Sequence, residues 1–100
     1  MDAAPSPALF FGDASAAPWS IRLAARNGAR GIDRVYGLAL GVDLFGVVTL
    51  DVSWGRAGTA GRMMRLAFAD EAEAMAEARR RLARRATAKR RIGAAYVAAG

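Results

Sequence analysis

The sequence contains neither cysteine nor histidine among its 100 residues. The chain therefore cannot form a disulfide or a thiolate or imidazole metal site, and it has no cysteine nucleophile or histidine base for catalysis. The longest apolar stretch, residues 35–52, is interrupted by Asp43, Asp51 and several glycines, which excludes a membrane-spanning helix there. No basic leader precedes an apolar core near the first residue, so we expect a cytoplasmic protein without a secretory signal.

Two further patterns can indicate catalysis, but neither supports it in this sequence. The glycines at 55, 58 and 61 lack the Gly-Lys-Ser/Thr ending of a phosphate-binding loop, and they join two apolar runs rather than a strand and a helix. Four carboxylates lie between residues 70 and 77, where helix capping and charge pairing explain them without a metal. We therefore expect no enzyme, no cofactor and no metal site.

The chain carries more basic than acidic residues, and their charges are unevenly distributed along it. The formal net charge is +6, and residues 79–91 hold seven arginines and one lysine without any acid. Such a block is either a solvated face or a surface that binds polyanions. The guanidinium fork of arginine matches phosphate oxygens, so Arg80 and Arg84 are predicted nucleic-acid contacts.

The chain divides into a tail and one domain. Residues 1–18 are rich in Ala, Pro and Ser, with Leu9, Phe10 and Phe11 as their only bulky cluster, and are predicted to be a flexible tail. Residues 19–98 form the predicted domain. Apolar side chains alternate over residues 19–26, 34–42, 47–54 and 62–68, which predicts four strands, and residues 95–98 predict a short edge strand.

The same alternation predicts which side chains are buried. Val42 is expected to point inward at the end of the second strand, and Phe45 to plug one end of the core. Asp70 is a typical N-cap for the helix that follows. The residues expected to form its buried stripe are Ala74, Met75, Ala78, Leu82 and Ala86. The predicted fold class is α+β, with an antiparallel sheet of four to five strands packed against one α-helix.

The loop after the third strand is the predicted site. Its sequence runs Trp54-Gly55-Arg56 and then through Gly58 and Gly61 to Arg62, and glycine permits the positive φ angles of a defined turn. Alternation places Trp54 on the core face, whereas a bulge at Gly55 would turn its ring outward, so both positions of the indole remain open.

These residues resemble the WGR domain, named for its Trp-Gly-Arg triplet and found in poly(ADP-ribose) polymerases and many small bacterial proteins. Two further motifs precede the triplet at the spacing of bacterial members, and an acidic-to-basic helix follows it. Those motifs are Arg34-Val35-Tyr36-Gly37-Leu38 and Asp43-Leu44-Phe45-Gly46. The resemblance covers residues 20–97.

The resemblance implies a non-catalytic module that binds DNA ends or backbone phosphates, with Trp54 against a terminal sugar and Arg56 on phosphate. Gly55 belongs to the same triplet, and Arg62 and Arg65 are plausible neighbours. The alternative is a protein–protein interaction module in which the loop serves structure or partner contact. A continuous basic face joining Arg56 and Arg62 to the end of the helix would favour DNA.

Overall fold

The computed structural model describes residues 19–88 and 92–99. Five strands form one antiparallel sheet in the order β4-β3-β2-β1-β5, and one α-helix packs against it. The elements are β1 (Trp19–Asn27), β2 (Ile32–Val42), β3 (Val48–Arg56), β4 (Arg62–Phe68), α1 (Glu71–Ala86) and β5 (Tyr96–Ala98). This confirms the predicted α+β fold, including the short edge strand, which pairs with β1.

The core lies between one face of the sheet and the helix. Side chains alternate along each strand, so the even-numbered apolar residues of β2 and β3 share the helix side with the odd-numbered ones of β1. Buried strand residues on this side are Leu23, Tyr36, Leu38, Leu40, Leu50 and Val52. The helix contributes Ala74, Met75, Ala78 and Leu82, as predicted, whereas Ala86 is only half-buried. The other face of the sheet, called the open face below, has no helix against it in the described part of the chain.

The helix begins where the sequence predicts. Asp70 has extended backbone, with φ −151° and ψ 171°, and its carboxylate accepts a hydrogen bond from the backbone N–H of Glu73 at 2.8 Å. Acids occupy the first turn and Arg84 and Arg85 the last, which suits the helix dipole at both ends. Glu77 forms an i,i+4 ion pair with Arg81 at 2.7 Å, an instance of the charge pairing predicted for the carboxylates of this segment.

The turn between β2 and β3 corrects two predictions. Val42 is 57% exposed and Phe45 is 89% exposed, so neither belongs to the core, whose last member in β2 is Leu40. The reason is local: one carboxylate oxygen of Asp43 accepts hydrogen bonds from the backbone N–H groups of Phe45 and Val47 at 2.8 and 2.9 Å. These bonds close the turn on itself and leave its apolar side chains outside the core.

Several predictions concern residues beyond the described ranges. The tail at residues 1–18, with Leu9, Phe10 and Phe11, lies outside them, as do residues 89–91 of the basic block. Within the described residues, no helix has the length and apolar character that crossing a membrane requires.

Candidate nucleic-acid interface

The loop between β3 and β4 is held by its glycines and by bonds around Thr59. The backbone N–H and the hydroxyl of Thr59 both donate to the carbonyl of Arg56, at 3.1 and 2.7 Å. Gly58 and Gly61 have φ angles of 81° and 66°, in the region that favours glycine. A Cβ on Gly61 would lie 2.5 Å from the carbonyl oxygen of Trp54, and one on Gly55 would lie 2.7 Å from the Gly61 Cα. The loop therefore requires glycine at both ends, where the backbones meet.

The observed position of Trp54 is intermediate between the core position that alternation predicts and the outward position that a bulge at Gly55 predicts. It lies opposite Tyr36 in β2 and opposite Arg62 in β4, on the helix side of the sheet. The side chain is half-buried and packs against the core cluster, yet it also lines a surface cavity. Trp54 is thus partly packed against the core and partly accessible at the surface.

Arg56 is adjacent to a second arginine across the sheet. Its register partner is Arg34 in β2, and both side chains are exposed. An Nη1–H of Arg56 donates to the carbonyl of Gly31 at 3.1 Å. The next residue, Ala57, donates its backbone N–H to the carbonyl of Asp33 at 2.9 Å. These two bonds fix the start of the loop against the beginning of β2.

A cavity of about 460 Å³ opens beside these residues. It is bounded by four arginines and two aromatic rings, together with the backbone that begins β2. These side chains are Arg30, Arg34, Arg56, Arg85, Trp54 and Tyr96. Asp33 also borders the cavity, and its carboxylate is paired with Arg26 at 3.0 Å.

The end of the helix closes the other side of this region. The Arg85 guanidinium carbon lies 3.8 Å above the centre of the Tyr36 ring, within the range of a cation–π contact. The ring of Tyr96 meets Tyr36 edge-on, with centroids 6.4 Å apart. A second, smaller cavity shares Arg34, Arg85 and Tyr96 with the first and adds Arg84. We call this region the basic corner: Arg30, Arg34, Arg56, Arg84 and Arg85 around Trp54 and Tyr96.

The predicted site residues divide between the two faces of the sheet. Trp54, Gly55, Arg56 and Arg84 belong to the basic corner, and Arg62 lies beside Trp54 at its edge. Arg80 borders it through a groove on the helix that it shares with Arg84 and Arg85. Arg65 is not brought together with them. Arg65 lies on the open face of the sheet. The other predicted side chains lie on the helix side: Trp54, Arg56, Arg62, Arg80 and Arg84.

Arg65 and Arg80 each form an ion pair with a carboxylate. Arg65 makes a two-point contact with Asp51 at 2.7 and 2.9 Å, and the hydrogen bond from Arg65 holds the pKa of that carboxyl below its ordinary value. Arg80 and Arg81 both donate to Glu77, and the bond from Arg80 is the main cause of the lowered pKa of Glu77. Arg65 and Arg80 are therefore already neutralised in part by a carboxylate.

Four residues of the corner were missed by the sequence reasoning. They are Arg30, Arg34, Arg85 and Tyr96. Arg34 carried a usable signal, since it lies two residues before Tyr36 in an alternating strand and so shares its face. Arg85 follows the buried Leu82 by three residues, which places it near the same helix face. Arg30 and Tyr96 join the corner only through the turn before β2 and the pairing of β5 with β1, which no local pattern reveals.

The carboxylates lie away from the basic corner or are already paired. Asp70, Glu71 and Glu73 are at the beginning of the helix, at the end remote from Arg84 and Arg85. Across residues 19–88 and 92–99, no three acidic side chains come together in a way that could hold a metal ion.

Fold and site together define a small α+β module with one arginine-rich surface built around a half-buried tryptophan. The chain belongs to the WGR domain family: the model of the WGR domain matches residues 19–91, which are most of the chain. This confirms the resemblance found in the sequence. Neither the curated proteins nor the solved structures compared with the chain include a match. The WGR domain is a binding module of the nucleic-acid-binding type.

Proposed function

We propose that this protein is a non-catalytic module that binds DNA, at strand ends or along the phosphate backbone, through the basic corner. The observation that supports this most directly is the meeting of arginines from three separate elements beside one half-buried tryptophan. Arg34 comes from β2, Arg56 from β3, and Arg84 and Arg85 from the last turn of the helix. These residues form the part of the expected basic face that runs from Arg56 to the end of the helix, and Arg62 lies beside Trp54 at its edge, which supports DNA over a protein partner.

The chemistry of the corner suits a phosphate backbone. Guanidinium groups present several N–H donors in a fixed plane and bind phosphate oxygens through two of them at once. Because Arg56 uses one Nη1–H on Gly31, the group is oriented and its other donors are available to a ligand. The helix ends here with the negative end of its dipole, which disfavours an anion, and Arg84 and Arg85 offset that effect.

The residues are proposed to act as follows. Arg34, Arg56 and Arg84 contact phosphates, and the accessible part of Trp54 packs on a terminal sugar. Gly55 keeps the backbone close to Gly61 so that Trp54 and Arg56 hold their positions. Arg62 extends the surface beyond Trp54, and Arg80 extends it along the helix. Arg65 lies on the open face with Asp51, so a contact from Arg65 would require a strand that passes to that face.

The proposal is tested by measuring equilibrium binding to blunt-ended, nicked and single-stranded DNA at two salt concentrations. Four to six arginines on phosphates would give a log–log salt slope of about −3.5 to −5.5. Arg56→Ala should selectively reduce any preference for DNA ends over intact duplex. Arg80→Ala, with its side chain already on Glu77, should weaken all forms alike or none. Circular dichroism of both variants controls for loss of folding.

A protein–protein interaction module is the second candidate function, and one observation favours it. Leu44 is fully exposed and Phe45 is 89% exposed in the β2–β3 turn, which the Asp43 hydrogen bonds hold in one conformation. Adjacent apolar side chains exposed to water are typical of a contact surface. If the protein shows no affinity for any DNA even at low salt, the nucleic-acid function fails and this second function takes its place.

A further inference from the structure

We infer that the 460 Å³ cavity of the basic corner binds one unpaired nucleotide at the end of a DNA strand. The inference rests on the proposed function and adds to it the structure of the DNA end that the site prefers. It assigns a ligand to Arg30 and Tyr96, which the Trp-Gly-Arg triplet does not include, and gives the phosphate contact of Arg34 a place at the mouth of the cavity.

The size and the lining of the cavity suit a single base. Its volume lies within the range of about 300–1,000 Å³ that is usual for small-ligand sites. Two aromatic residues, Trp54 and Tyr96, border it, and Ile32 and Val35 add apolar surface. Every base has a flat π face that packs on such side chains without any demand on sequence. A base inside a duplex keeps its faces stacked on its neighbours, so only an unpaired base can enter a concave site.

The rim of the cavity suits the phosphate that accompanies such a base. Arg34 and Arg56 are register partners on neighbouring strands, so their side chains start side by side on the same face. Arg30 and Arg85 approach from the turn before β2 and from the helix. Asp33, the carboxylate among the described residues that line the cavity, is paired with Arg26. A phosphate at the mouth of the cavity would thus meet cationic groups from more than one side.

The cavity is also held in shape before any ligand arrives. The Arg56 bond to Gly31 and the Ala57 bond to Asp33 tie the loop to β2. Tyr96 is positioned by β5, which pairs with β1, and by its edge contact with Tyr36. A preformed site loses little freedom on binding, so the contacts made there contribute to affinity.

The test compares three DNA hairpins with the same duplex: one blunt, one with a single unpaired nucleotide at the end, and one with an abasic residue in place of that nucleotide. We expect the unpaired nucleotide to tighten binding about tenfold over the blunt hairpin, as for one base on an aromatic ring. The abasic hairpin should lose most of that gain, because it keeps the phosphate but lacks the base.

Two variants assign the effect to the cavity. Tyr96→Leu and Arg34→Ala should each reduce the advantage of the unpaired nucleotide. Arg22→Ala, an exposed arginine on the open face, is the matched control and should preserve it. The melting temperature of each variant is measured beside its affinity. A variant that melts at the same temperature as the wild type is folded, so a lower affinity in that variant reports lost recognition.

The outcomes distinguish this inference from the function on which it rests. Measurable and equal affinity for the blunt and unpaired ends would overturn the inference and leave DNA binding intact. An advantage that survives the abasic replacement, or that persists in both Tyr96→Leu and Arg34→Ala, would overturn it as well. Absence of affinity for all three hairpins would overturn the proposed function and the inference together.

Discussion

At the scale of single residues, two groups of arginines differ in the contacts that they make. Arg26, Arg65, Arg80 and Arg81 each contact a carboxylate within 3.2 Å. In the basic corner, Arg85 lies over the ring of Tyr36, and Arg56 donates to the carbonyl of Gly31. The first group contributes charge pairs that stabilise the fold, and the second group supplies the positive surface that we propose for DNA.

Leu82 tests the placement of the helix against the sheet. The side chain is fully buried, so Leu82→Ala should reduce the free energy of unfolding by about 2–5 kcal/mol. Leu44→Ala makes the same change at a fully exposed position and should cost less than about 0.5 kcal/mol. Chemical denaturation measures both values. Similar losses at the two sites would show that the helix face is wrongly placed.

Asp51 gives the pH dependence of stability a definite sign. The pKa of Asp51 is lowered in the folded protein by the hydrogen bond from Arg65, so the folded state binds fewer protons at acid pH. The stabilisation is complete above the unfolded value of about 4 and is lost as the pH falls through the folded value. Asp51→Asn should therefore lower the melting temperature at pH 7, with a smaller difference near pH 2.

A double variant isolates the contact between the two side chains. Asp51→Asn with Arg65→Gln should melt close to Asp51→Asn alone at pH 7, since the pair is already broken in the single variant. A difference between wild type and Asp51→Asn that stays constant from pH 7 to pH 2 would contradict the proposed role of the ionised carboxylate.

At the scale of elements, the loop that carries the Trp-Gly-Arg triplet depends on close backbone contact. Gly61→Ala would place a Cβ 2.5 Å from the Trp54 carbonyl oxygen. Gly58 has a similar positive φ but open space around it, so Gly58→Ala incurs the backbone strain without the collision. We expect Gly61→Ala to be less stable than Gly58→Ala by a further ~1–3 kcal/mol, the usual cost of overpacking. Thermal melts that rank the two variants equally would contradict this description of the loop.

The elements were largely predictable, whereas the turns between them were only partly so. Alternating apolar residues predict the strands, and Asp70 predicts the start of the helix, because both patterns depend on residues that are close together in the chain. Val42 and Phe45 depart from the prediction because the side chain of Asp43 reorganises the turn through bonds that hydrophobicity does not encode. The register that separates Arg65 from Trp54 likewise depends on the pairing of β3 with β4.

At the scale of the whole molecule, the fold separates two kinds of surface. On the helix side, the basic corner brings together residues more than 60 positions apart in the chain, such as Arg30 and Tyr96. Because that proximity arises from the strand order of the sheet, the sequence could indicate Trp54 and Arg56 but not the cavity beside them. On the open face, Arg26 and Arg65 are both paired with aspartates. We therefore propose that the phosphate-binding surface lies on the helix side.

The salt dependence of binding to a DNA end tests this central claim most directly. Each arginine–phosphate contact contributes about 0.9 to the log–log slope. Arg56→Ala should therefore make the slope shallower by about one, and the matched change Arg22→Ala on the open face should leave it unaltered. Equal slopes for Arg56→Ala and the wild type, or an equal reduction from Arg22→Ala, would contradict the assignment of the DNA surface to the basic corner.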